Sequence, residues 1–115
     1  MSFAAALFLA QAVAAPPPPA EANEIVVLGQ RLAETRVEWS TRKRGGAMAI
    51  RSCRVVKSSG DRELDKVVCQ ALRECAPHIP LGSGPGDDLP AFFACNEERS
   101  MALGLALLEK REQRR

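Results

Sequence analysis

The sequence predicts a small α+β fold. A hairpin over about residues 36–57 forms an antiparallel sheet, to which residues 24–29 add a candidate strand. A helix over about 61–75 packs on the sheet, and a second, C-terminal helix spans about 89–112. Three observations predict it. Val37, Trp39 and Thr41 alternate with Glu38, Ser40 and Arg42 just before Gly45-Gly46, as in a half-buried strand entering a turn. Leu64, Val68, Leu72 (or Ala71) and Cys75 then recur at three-to-four spacing, the stripe of a helix with one buried face. Finally, the chain holds four cysteines, Cys53, Cys69, Cys75 and Cys95, an even set in a chain of 115 residues.

The N-terminus speaks for export. Phe3 to Ala15 is an apolar run of 13 residues broken only by Gln11 and followed by Pro16–Pro19. A spanning helix needs roughly 20 apolar residues, so this run fits the core of a secretory signal better. Residues 1–22 are assigned as signal peptide and proline-rich lead, although no Lys or Arg precedes Phe3. Cleavage is expected after Ala14 (Ala12-Val13-Ala14) or Ala22 (Ala20-Glu21-Ala22), and no membrane span remains once the signal is removed. Residues 23–115 then form a single small domain, periplasmic or secreted. The lead through Glu24 reads as disordered. Glu24-Ile25-Val26-Val27-Leu28-Gly29 is a β-branched run closed by glycine, an edge strand or extended arm.

Further along, Ile50, Cys53 and Val55 share one strand face only if a bulge lies between Ile50 and Cys53. Ser58-Ser59-Gly60 ends that strand and Asp61 caps the next helix, which Pro77 stops. Leu81 to Asp88 is a Gly/Pro-rich loop. Asp88 is placed as cap of the last helix, with Pro90 in its first turn. This helix carries Phe92, Phe93, Cys95, Leu103, Leu107 and Leu108.

The chain has one Trp, four Phe and no Tyr, and two of the Phe fall in the assigned signal, so a domain of this size builds a thin core and gains from cross-links. In an oxidising compartment the four cysteines read as two disulfides. Cys69 and Cys75 are about 9 Å of rise apart on one helix, beyond the usual Cα separation of about 4.4–6.8 Å. Two connectivities remain: Cys53–Cys69 with Cys75–Cys95, and Cys53–Cys75 with Cys69–Cys95. Zinc ligation would want closely spaced Cys pairs, and the intervals of 15, 5 and 19 residues with the single His78 do not supply them. No metal or other cofactor is expected.

Other chemistry is sparse. His78 stands alone after a helix, and Ser58 and Ser59 suit turn and cap roles. Gly82-Ser83-Gly84-Pro85-Gly86 lacks the Lys-Ser/Thr of a phosphate loop. Asp87 and Asp88 read as capping acids. The net charge of +2, with basic and acidic residues interleaved, excludes a nucleic-acid partner, and Arg42-Lys43-Arg44 reads as a solvated turn. No catalytic residue is assigned.

Val37 to Pro80 resembles the C-terminal, periplasmic domain of TonB-like energy-transducing proteins. The matching pieces are the Val37–Thr41 strand, the Gly45-Gly46 turn, the strand with Ser52-Cys53-Arg54-Val55, Ser58-Ser59-Gly60, Leu64-Asp65 and the exit at Pro77 or Pro80. The resemblance favours pairing Cys53 with Cys69, and hence Cys75 with Cys95. It implies a non-catalytic module binding an envelope protein or extended peptide. The family continues into a further strand whose edge receives its partner, where this chain has a Gly/Pro loop and a helix. Ile25, Val26, Val27 and Leu28 in turn resemble the segment that such domains capture by strand addition. The alternatives are a small envelope enzyme or enzyme inhibitor whose site assembles in three dimensions, or a structural or stress protein of the envelope. An enzyme should gather His78 with Asp87, Asp88 or a free cysteine, whereas a binding module should show an open sheet edge.

Overall fold

The structure is a computed structural model that describes residues 20–114. The apolar run Phe3–Ala15 and Pro16–Pro19, assigned above to a signal and its lead, lie outside the described residues. The described chain runs α1 (Ala20–Glu34), β1 (Arg36–Arg44), β2 (Ala47–Lys57), α2 (Arg62–Cys75), a 3-10 turn (Ala76–His78) and α3 (Pro90–Gln113). This is the α+β arrangement the sequence predicts. Among the described residues no helix is long and apolar enough to cross a membrane.

β1 and β2 form a two-stranded antiparallel sheet. Gly45 makes the turn with φ +63, a conformation that side chains with a Cβ resist. Pairing runs from Arg44↔Ala47 to Arg36↔Lys57, with Thr41 opposite Ile50 but Ser40 opposite Ser52. Arg51 is thus an extra residue on β2, the bulge that the parity of Ile50 and Cys53 demanded. Val56 is a second, since Val37 pairs with Val55 and Arg36 with Lys57. The bulge keeps Met48, Ile50 and Cys53 on the face that carries Val37 and Trp39, and this face packs on the main core.

That core is Met48, Leu72, Cys75, Ala76, Ile79, Leu89 and Phe92. Phe92 is fully buried and meets Trp39 in a tilted pair, ring centroids 5.1 Å apart. Phe93, on the next position of α3, points outward and is 48% exposed. α2 contributes Leu64, Val67, Cys69, Ala71, Leu72 and Cys75 as buried residues, with Val68 half-buried. Two bridges hold the helix in place. Cys53–Cys69 joins it to β2 and Cys75–Cys95 joins it to α3, each with Cα atoms 5.8 Å apart. No described cysteine is free.

Two expectations are corrected. Residues 24–29 are not a strand, and the lead is helical from Ala20, because the whole stretch belongs to α1. Local propensity favours extension in a β-branched run, but packing overrides it. Leu28 is 2% exposed and, with Leu32 one turn on, closes a second cluster around Leu64, Val67, Met101 and Leu107. It seats against Gly104, where a Cβ would stand 2.9 Å from Leu28 Cδ1. A helix satisfies its own backbone groups while delivering that one contact, at the expense of leaving Ile25, Val26 and Val27 exposed. The second correction concerns α3. Its N-cap is Leu89, without a side-chain hydrogen bond, and Asp88 is exposed. Leu89 is 2% exposed, so burying it in the core places the helix start one residue beyond the acid.

Gly104→Leu is expected to push α1 off α3. Overpacking of this kind typically costs about 1–3 kcal/mol, so the urea midpoint should fall and helical circular dichroism should decrease while both disulfides remain. Digestion without reduction should yield linked peptides holding Cys53 with Cys69 and Cys75 with Cys95, and a Cys53–Cys75 peptide would contradict the fold.

Candidate interaction surface

The corner between β2 and α2 is fixed by a compact polar network. Asp65 is buried on α2 and accepts hydrogen bonds from the Ser58 hydroxyl, from the Ser59 N–H at 2.9 Å and from the Ser59 hydroxyl at 2.7 Å. Burial pushes the Asp65 carboxyl pKa up, but those three donors outweigh it and leave the group below its ordinary value. A carboxylate held in that state is a weak base. The serines act as turn and cap groups, consistent with their sequence context.

Asp61 does two jobs at the start of α2. Its Oδ1 accepts the N–H groups of Glu63 and Leu64, which caps the helix. Both carboxylate oxygens also accept from the Arg111 guanidinium, at 2.6 and 2.8 Å. The fork ties the first turn of α2 to the last turn of α3, 50 residues away. Hydrogen bonding to Arg111 is the main reason the Asp61 pKa is lowered to about 2. Nothing in the local sequence announces this pair, since α3 supplies its partner from the far end of the chain.

The residues that an enzyme should gather, His78, Asp87 and Asp88, are all exposed. The Asp87 carboxylate accepts the Gly84 N–H at 3.0 Å within its own loop. Three surface grooves, of about 540, 340 and 370 Å³, lie between α2 and α3, beside α1, and along the Cys53–Cys69 bridge. His78, Asp87 and Asp88 line none of these three. No group of three or more metal-ligating side chains gathers among the described residues. Ile25, Val26, Val27 and Leu28, the candidate strand-addition segment, are wound into α1 with Leu28 buried.

What the structure does present is strand edge. The sheet has only two strands, and among the described residues no backbone segment outside the hairpin hydrogen-bonds to β1 or β2. The two edges differ. β2 carries both bulges, at Arg51 and Val56, and a bulge kinks and twists an edge against regular pairing. β1 is uninterrupted over Arg36–Arg44. A loop glycine supports it from below: a Cβ on Gly84 would lie 3.2 Å from Thr41 Oγ1. After α2 and the 3-10 turn the chain forms the Leu81–Asp88 loop and α3, with no third strand among the described residues.

The hairpin also corrects the reading of charge as interleaved. Within residues 36–57 there are seven basic side chains and one acidic one, a charge of +6 in a chain whose total is +2. All seven are exposed. The outer sheet face is visible in its cross-strand pairs, Ser40 with Ser52 at 2.6 Å and Arg54 with Glu38. No family model matches the chain, and no curated protein or solved structure matches it.

The pH dependence of stability follows from the carboxylates. Asp61 has a folded pKa of about 2, below the value near 3.9 of an unfolded chain. Its contribution is therefore complete above about pH 4 and is lost as the pH falls toward 2. The urea midpoint should drop across that window. Asp61→Asn should flatten the drop in part, leaving the share of Asp65, whereas an unchanged pH profile would refute the Asp61–Arg111 link.

Proposed function

We propose that the chain is exported to the periplasm or secreted, loses residues up to Ala14 or Ala22, and works there as a non-catalytic protein- or peptide-binding module. The observation that carries this reading is the unpaired, unbulged edge of β1 in a sheet of two strands. Nine residues of regular strand offer alternating N–H and C=O groups to an extended partner. Such addition gains affinity from main-chain hydrogen bonds and selectivity from alternate side chains. The two disulfides suit an oxidising compartment. They also hold β2 and α2 fixed while the outer side of β1 stays open.

The TonB-like resemblance over Val37 to Pro80 supports the class of function. It does not transfer the family's receiving edge, because that strand is replaced here by loop and helix. The capture surface in this reading is therefore β1 itself.

A blocked hexapeptide of alternating Thr and Val, added to isotopically labelled protein, is expected to shift the amide resonances of residues 36–44. N-methylation of alternate peptide amides should abolish the effect in one register and spare it in the other. Shifts confined to the α2–α3 groove, or none at all, would sink the strand-edge reading. The intact mass of protein recovered from the periplasm should lack 14 or 22 residues and show no thiol before reduction. Retention of Met1 with free thiols would overturn the export reading.

A further inference from the structure

From the register of the hairpin we infer that the partner of β1 is an acidic peptide segment, with carboxylates on one face alternating with apolar residues on the other. This inference rests on the strand-addition reading above and specifies its ligand. On β1 the inward side chains are Val37, Trp39 and Thr41, all half-buried, and the exposed Lys43 beside the turn; Trp39 is stacked toward Phe92. The outward ones are Arg36, Glu38, Ser40, Arg42 and Arg44. Glu38, the one acid among them, is already neutralised by Arg54 across the ladder. A strand laid on the β1 edge would therefore place its outward side chains beside Arg36, Arg42 and Arg44, and its inward ones beside the apolar Val37 and Trp39 toward the start of β1.

Side chains on one face of a strand repeat about every 6.6–6.8 Å, and Arg42 and Arg44 present two cations at that interval. Acids two residues apart on an added strand match it. Opposite charges directly across a ladder attract, and each such pair favours binding by about threefold. Two such pairs, at Arg42 and Arg44, within reach of a single hexapeptide, make a preference of roughly tenfold over a neutral peptide.

Two other polyanions fit less well. The outer face pairs Ser40 with Ser52, Arg42 with Ala49 and Arg44 with Ala47, so it offers no aromatic on which a base could stack. It also lacks the large apolar residues that an interfacial element sinks into lipid, apart from Val56 at the bulge. The chain's only tryptophan faces the core.

The test compares three blocked hexapeptides by amide shifts and fluorescence anisotropy: Val alternating with Thr, with Glu and with Lys. The Glu peptide should bind about tenfold more tightly than the Thr peptide at low salt, and the Lys peptide more weakly than either. The gap should close as ionic strength rises. Arg42→Glu combined with Arg44→Glu should reverse the order of the Glu and Lys peptides. Both positions are exposed, and unchanged far-ultraviolet circular dichroism with intact disulfides verifies the fold of the variant.

If all three peptides shift the β1 amides with equal affinity, the inference is overturned while strand addition survives. If none shifts them, strand addition itself has failed. Phosphatidylglycerol vesicles that displace the Glu peptide, and whose binding the double variant abolishes, would reassign the basic face to lipid and overturn the inference.

Discussion

Everything in this domain is arranged around α2, a helix cross-linked from two directions. Cys69 and Cys75 lie six residues apart, about 240° around the axis, so their side chains leave the helix toward different neighbours. One reaches β2 and the other reaches α3. Hairpin and C-terminal helix are consequently fixed to a common post. With Phe92 the only large aromatic wholly buried among the described residues, apolar burial alone is modest. The bridges, closing loops of 16 and 20 residues, each contribute about 3 kcal/mol in the chain-entropy account. Small domains are stable by about 5–15 kcal/mol in total, so the cross-links represent a large share.

Packing divides along α3. Its first turns meet the hairpin through Phe92, and its middle and end meet α1 and the start of α2 through Gly104, Leu107 and Arg111. The two clusters differ in kind. The first is closed by both disulfides, while the second is held by side-chain contact and the Asp61–Arg111 fork. α1 belongs wholly to the second. It joins the fold through Leu28 and Leu32, and three of its largest apolar side chains remain in solvent.

The hairpin, α2 and α3 are legible in the sequence because their signals are local. Alternation around Trp39, glycine at the turn, Asp61 before a three-to-four stripe and Pro90 at a helix start need no distant partner. The bulge at Arg51 was legible for the same reason, as a break in parity. The state of residues 24–29 was not, since it is decided by Leu28 meeting Gly104, 76 positions later. The basic outer face was equally hidden. Read linearly, Arg42-Lys43-Arg44 is only a solvated turn, and it takes the shifted register to put Arg54 on the same face as Arg36, Arg42 and Arg44. The cap expected from Asp88 failed by one residue because the core claimed Leu89.

Thr35 is all that separates α1 from β1, and its hydroxyl is bonded back to the Arg31 carbonyl at 2.8 Å. The junction has no slack. A pull on α1 would reach the sheet at Arg36, the rung beside the point where β2 departs. Loaded at that end, an antiparallel pair opens like a zipper, one rung after another, rather than shearing as a block. The Cys53–Cys69 bridge anchors β2, so β1 would be the strand that peels, past Val37 and the Glu38–Arg54 pair to Trp39 against Phe92. The hairpin is thus mechanically soft along the direction from which the N-terminal helix can tug it.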